Sequence, residues 1–247
     1  MFKKMVLVLA SFALVAAFGT SAQAGPRGSG DLAFQVRLGG FFPNADSEFW
    51  DDPVEGDGVF NAFTLDDSDF NDAVLGFSLV NGFNNHFEAG LNVDFYDAEN
   101  VSATRGFIDE DGFPILHDSR LQLVPISVDL RIVPTGRYGK RGGGRFVSRP
   151  VFYFGGGIGV TYWEYEEIGD FVDQTTDEIF FDRFIDSDWA FTTHALAGLE
   201  FPVTPNWGLF FEGRHSWVED EAGGDFAGLG DIDLGGTSAY VGASFHF

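Results

Sequence analysis

The chain has 247 residues, with 38 acidic against 14 basic side chains and a formal net charge of −24. That balance excludes nucleic acid and anionic headgroups as direct partners, and it suits divalent cations or a cationic partner. Cysteine is absent, which removes disulfide staples, a thiolate nucleophile and cysteine zinc sites.

Lys3 and Lys4, the apolar run Met5 to Phe18, and Ala22-Gln23-Ala24 before Gly25 have the layout of a cleaved signal peptide over residues 1–24. Residues 25–30 read as a short N-terminal periplasmic segment and 31–247 as one β domain. Thirty-three glycines and 30 phenylalanines suit a barrel, in which small residues fill the lumen and aromatics face lipid.

Eight segments alternate apolar and polar residues with the period of a strand. The first, Asp31–Pro43, sets Leu32, Phe34, Val36 and Leu38 against Gln35, Arg37 and Gly39. The second, Ala73–Phe83, sets Leu75, Phe77 and Leu79 against Gly76 and Ser78. His86–Tyr96 opposes Leu91 and Val93 to Glu88, Asn92 and Asp94, and Arg120–Val133 opposes Val128 and Leu130 to Asp129 and Arg131. Pro150–Glu164 carries Gly155, Gly157 and Gly159 on its polar row, and Asp188–Val203 carries His194, Gly198 and Glu200. Asn206–Val218 adds Glu212 and Arg214, and Gly235–Phe247 closes the set.

These features predict an all-β fold, a closed antiparallel transmembrane β-barrel of eight strands with short periplasmic turns and long acidic extracellular loops. The windows 44–72, 97–119, 165–187 and 219–234 are the long connections. They hold most of the acidic residues, whereas 134–149 carries Arg137, Lys140, Arg141, Arg145 and Arg149 and no acid. The connections 44–72 and 164–188 are each long enough to hide another hairpin, either of which would give ten strands. Phe41, Phe42, Phe95, Tyr96, Tyr162, Trp163, Trp189, Trp207 and Trp217, at strand ends, read as interfacial girdles.

The polar parity places Arg37, Glu88, Asp94, Asp129, Arg131, Glu200, Glu212 and Arg214 in the lumen, with His194 and Tyr153. Small barrels leave an interior just wide enough for side chains, so these charges must pair and close the lumen. The last strand has no acid or arginine on that row and is expected to stay outside the ion-pair network. Asp66, Asp67, Asp69, Asp109 and Asp111 are the oxygen-rich candidates for Ca²⁺, without full EF-hand spacing. No tightly bound cofactor is expected beyond loosely held divalent cations. Glu212, His215 and Ser216 invite a hydrolase reading, but adjacent residues on a strand point to opposite faces. The remaining histidines, His117 and His246 among them, look scattered.

The Gly-rich run Phe152 to Val160, Gly198-Leu199-Glu200-Phe201, Asn206 to Arg214 and the terminal Val241 to Phe247 resemble the eight-stranded outer-membrane β-barrel superfamily. That superfamily contains the OmpA transmembrane domain and OmpW-like porins. The resemblance implies the Gram-negative cell outer membrane, with its lipids and lipopolysaccharide as surroundings. It also implies that the barrel-assembly machinery reads a terminal signal formed by Tyr240, Phe245 and Phe247. A non-enzymatic structural or surface-interaction role leads. A narrow channel for small or hydrophobic solutes and a lipid A-modifying enzyme are the rivals.

Overall fold

The computed structural model describes residues 32–51, 58–137, 149–173, 176 and 178–247. The signal-peptide and N-terminal readings, and Lys140, Arg141 and Arg145, lie outside them. Among the described residues nine strands form in chain order: β1 (Leu32–Pro43), β2 (Asp72–Gly82), β3 (Phe87–Ile108), β4 (Pro114–Ile132), β5 (Val151–Val172), β6 (Ile179–Pro202), β7 (Trp207–Glu221), β8 (Asp231–Asp233) and β9 (Gly236–His246). Each pairs antiparallel with its neighbours, and β6–β7 pairing closes the ring. Strand β1 pairs on one side with β2 and on the other with β9, where Phe34 meets Phe245. Eight strands make the barrel. The three-residue β8 pairs with the top of β7 and lies outside the ring.

The predicted parity holds on every barrel strand. Leu38, Leu91, Leu130, Ile158, Phe191 and Phe211 are more than half exposed, while Gln35, Arg37, Asn92, Arg131 and Glu212 are buried. So large a continuous apolar belt on an outer wall is a lipid-facing surface, not a water-facing one. A closed ring leaves no unpaired strand edge at that level, as hydrocarbon requires.

Two expectations need correction. The windows 97–119 and 165–187 are not loops. They continue β3 to Ile108, β4 down from Pro114, β5 to Val172 and β6 from Ile179. At 22 and 24 residues, β5 and β6 are about twice the ~9–11 residues that cross a bilayer. The extra length stands above the apolar belt, and its outer face carries Asp97, Glu99, Arg120, Glu164 and Glu166. The room in 164–188 is therefore used by a taller β5–β6 hairpin and not by an added one. Secondly, Phe41, Tyr96 and Trp163 are buried inside the barrel, so they do not belong to a girdle. Trp189, Trp207 and Trp217 remain on the outer wall, each about half exposed.

The 44–71 connection folds inward. A helical turn at Val59–Ala62 and a 3-10 turn at Asp67–Phe70 hold it above the barrel strands, and its apolar residues enter the mouth. Phe49, Trp50, Val59, Leu65 and Phe70 join Tyr96, Leu121, Trp163, Tyr165, Phe226, Ile232 and Leu234 in one buried cluster.

Candidate functional site

Among the described residues most buried charged side chains gather in the lumen, which divides into levels. At the short-turn end, Arg137 enters from the β4–β5 connection. Its Nη2 donates to Glu88 Oε2 at 2.8 Å and its Nη1 to Glu200 Oε2 at 2.6 Å. Glu200 Oε1 accepts from Ser244 Oγ at 2.9 Å and lies 2.8 Å from His246 Nε2.

The middle level holds three arginines and three carboxylates. Arg37 grips Asp94 with two parallel bonds, Nε to Oδ1 at 2.9 Å and Nη2 to Oδ2 at 2.8 Å. Arg131 does the same to Asp129, at 3.0 and 3.1 Å. Arg214 bridges Asp94 (3.3 Å) and Glu212 (3.1 Å). Glu212 also accepts from Tyr153 OH at 3.0 Å and lies 3.6 Å from Arg131. Asn92 donates to Asp129 at 2.8 Å. The Arg37 guanidinium sits 5.0 Å from the Tyr240 ring centre and that of Arg131 5.2 Å from Tyr153. Bidentate arginine–carboxylate geometry with the remaining lone pairs satisfied is what a buried ion pair needs to persist.

Glycines make the room. A Cβ on Gly76 would overlap the Asp94 carboxylate, and one on Gly198 would overlap the Tyr153 ring. The Gly-rich polar row is thus the space into which the long charged and aromatic side chains of neighbouring strands fold.

The third level is the aromatic cap. Trp50 and Phe49 are buried edge-to-face, with ring centres 5.0 Å apart, and both meet Tyr165. The polar ends of these rings are answered: Trp50 Nε1 donates to Asp233 O at 2.8 Å and Trp163 Nε1 to Asp220 Oδ2 at 2.7 Å, while Tyr96 OH donates to Phe70 O. Between cap and ion pairs lies a cavity of about 40 Å³ bordered by His194, Arg214, Ser238 and Tyr240. That is room for one or two waters.

No family model matches the chain, and no curated protein sequence matches it. Among solved structures, the outer membrane protein OprG from Pseudomonas aeruginosa superposes with a TM-score of 0.52. The match has 15% identity and covers 90% of this chain and 97% of OprG. The chain has the fold of the eight-stranded outer-membrane β-barrels. Neisserial surface protein A (NspA) aligns at a TM-score of 0.48 and 9% identity, over 88% of this chain and 97% of NspA.

All eight charged residues expected in the lumen are buried there, but they form two groups instead of one. Glu88 and Glu200 belong to the Arg137 level; the other six make the middle level. Arg137 was not among the expected lumen residues, and His246 contradicts the expectation that the last strand takes no part. The signal was an imbalance. Five acids and three arginines on the inward rows call for further cations, and Arg137 is the first after the β4 alternation ends. Of the three terminal aromatics, Phe245 and Phe247 pack together on the outer side, ring centres 4.9 Å apart. Tyr240 is buried in the lumen.

The rivals to an ion-pair lumen find less support. His215 lies on the outer row against Trp217 and Thr237, whereas Glu212 is held inside by arginines, so the two do not meet. A Ser–His–Glu group does exist elsewhere. Above the belt, Ser102 Oγ lies 2.7 Å from His117 Nε2, and Glu167 Oε2 is 3.3 Å from the same nitrogen. A relay needs the carboxylate on the opposite ring nitrogen and a nucleophile that substrate can reach. Here all three are buried under Phe63 and Phe171.

The 3.3 Å separation is that of an ion pair, yet burial lowers the His117 pKa to about 4 and raises that of Glu167 to about 8. Desolvation outweighs the attraction, and near neutral pH both partners are uncharged. Ser119 Oγ donates to Glu167 at 2.7 Å, and Tyr165 OH donates to its other oxygen.

Three of the five acidic Ca²⁺ candidates, Asp66, Asp69 and Asp109, are engaged locally. Asp66 Oδ1 accepts from Ser68 N at 2.9 Å and Asp69 Oδ2 from Asp66 N at 2.9 Å, a reciprocal cap on the 3-10 turn. Asp109 Oδ1 accepts from Asp111 N and Phe113 N, at 2.9 and 2.7 Å, and closes the β3–β4 turn. Among the described residues, no three His, Asp or Glu side chains converge as a metal site.

Proposed function

We propose that this protein is a sealed, non-enzymatic barrel of the outer membrane whose working surface is the set of tall hairpins above the lipid. The observation that carries the reading is the stacking of three closures along one lumen: the Arg137–Glu88–Glu200 level, the six-residue ion-pair level and the aromatic cap. Each is built from buried side chains with partners in place, and the cavity between them, about 40 Å³, is too small for a solute larger than one or two waters. In this reading the short turns lie in the periplasm and the acidic hairpins face the medium. The assembly machinery meets the terminal strand at Phe245 and Phe247, and lipopolysaccharide surrounds the charged collar.

A channel role would need a continuous polar path past Arg131 and Trp50. A lipid A-modifying role would need a nucleophile and base together on an accessible face, which His215 and Ser216 do not supply. Liposome swelling tests the first point. Proteoliposomes are expected to take up small sugars and amino acids no faster than empty liposomes, and faster uptake would overturn the sealed reading. For the second, lipid A from cells with and without the protein is expected to give identical mass spectra.

A further inference from the structure

Strands β4 and β5 pair up to His117 opposite Gly169 and part above that point. The tips of the β3–β4 and β5–β6 hairpins then stand apart, and a groove of about 1050 Å³ opens between them. That volume is at the upper end of the roughly 300–1,000 Å³ of small-molecule sites, large enough for several amino-acid side chains. Its apolar lining is Phe107, Ile108, Ile115, Val172, Ile179 and Phe180, and Glu110, Asp173 and Glu178 complete the wall. Around it Ile108 is 68% exposed, Phe113 65% and Phe181 70%.

The exposure is informative because the neighbouring connection behaves differently. Phe49, Trp50 and Phe70 of the 44–71 connection are buried in the cap, whereas at the hairpin tips Ile108, Phe113, Ile179, Phe180 and Phe181 are exposed and only Ile115 and Phe171 are buried. Lipid does not cover them. Ile108 lies eleven residues beyond Asp97, roughly 35 Å along the strand, and the outer face between carries Asp97, Glu99, Glu164, Glu166 and Asp170. A second copy would bring a second acidic rim on a chain of net charge −24, which repels it. The three arginines on the tall parts of these hairpins are turned elsewhere: Arg105 Nε donates to Phe60 O at 3.0 Å, Arg120 pairs with Asp97, and Arg183 pairs with Glu166. Where β4 and β5 part, each has a backbone edge that the other no longer pairs, and an extended chain fits such an edge.

We infer that this groove docks an extended segment of a partner peptide or protein in which apolar and basic residues alternate. Its apolar side chains enter between Ile108 and Phe180, and its lysines or arginines meet Glu110 and Glu178 at the rim. The inference rests on the surface-interaction reading above and names the partner's chemistry.

The test uses the full barrel in lipid nanodiscs and three labelled octapeptides, alternating Val-Lys, Val-Glu and Ser-Lys, followed by fluorescence anisotropy. The Val-Lys peptide is expected to bind, more weakly as salt is raised. The Val-Glu peptide is expected not to bind, and Ser-Lys to bind at least about tenfold more weakly, a difference of 1.4 kcal/mol. A double change at exposed positions, Ile108→Ser with Phe180→Ser, should lower Val-Lys affinity by about tenfold or more, and Glu110→Gln with Glu178→Gln should flatten the salt dependence. Equal binding of Ser-Lys and Val-Lys, or affinity unchanged in the Ile108/Phe180 variant, would overturn the inference. Binding to empty nanodiscs equal to that with protein would assign the peptide to lipid and overturn it as well. A barrel that binds no peptide yet stays impermeable loses this inference alone. One that passes solutes loses the sealed reading, whatever its groove binds.

Discussion

Arg131 shows what a single lumen side chain supports. Its guanidinium holds Asp129 through two bonds and lies near Glu212, so its removal strands buried negative charge. Arg131→Met keeps much of the volume and should cost about 3–5 kcal/mol of unfolding free energy, the usual penalty for breaking a buried pair from one side. Urea unfolding in micelles, followed by the heat-modifiable gel shift, measures it; a loss within 1 kcal/mol would show that the pair is not buried as described. The parity of the strands was enough to find this residue, because an inward charge in a narrow barrel has nowhere else to go. Arg137 was harder to read. It lies beyond the β4 alternation, where no periodicity says which way a side chain turns.

The His117–Glu167 pair makes a pH prediction. Glu167 is held near 8 against an ordinary 4.5, so the folded state binds the extra proton and its stability falls as pH rises from about 4.5 to 8. His117 is held near 4 against an ordinary 6.5, so the unfolded state binds the extra proton and stability rises with pH from about 4 to 6.5. The two slopes oppose one another between 4.5 and 6.5, leaving a net loss from about 6.5 to 8. Glu167→Gln should remove that upper loss and make the hairpin top more protected at pH 8 than in the wild type. Amide exchange at pH 6.5 and 8 checks this, after correction for intrinsic rates; an unchanged pH dependence in the variant would contradict it.

At the scale of elements, the cap and the barrel wall are separable. Trp50 is fully buried in the cap, and Trp50→Ala should remove about 3–5 kcal/mol of packing. The described parts of 44–71 and 222–235 meet the inner rows of the barrel strands through side chains such as Tyr96 and Tyr165 and take no part in the ring's own hydrogen-bond ladder, so the loss should be local. Exchange is expected to rise at residues 58–71 and 224–234 while β2, β7 and β9 stay protected. Uniform deprotection of the whole barrel would show cap and wall to be one cooperative unit.

The lipid-crossing halves of the strands were legible because lipid outside and polar side chains inside give a clean period of two. Their upper halves were not. In Asp97-Ala98-Glu99-Asn100-Val101-Ser102 the outer row meets water and the inner row meets the cap, so the apolar–polar contrast that marks a strand is lost. Trp163 and Tyr96 were misplaced for a related reason. An aromatic at a strand end suits either an interfacial girdle or a buried cap, and only its parity, which is inward, decides between them.

Over the whole molecule, charge and closure follow the same axis. Arg137 locks the short-turn end, the middle lumen is balanced by three arginines and three carboxylates, and the tall end is acidic outside and aromatic inside. On the proposed reading the lumen is shut and the two tall hairpins, not the pore, carry any specific interaction. Planar-bilayer recording of the purified wild-type barrel tests this most directly. Membranes containing the protein should give no discrete openings above the protein-free baseline, with or without Ca²⁺. Reproducible single-channel steps, lost when Glu212→Ala repacks the middle level, would show that the lumen conducts and that the closures described here are not seals.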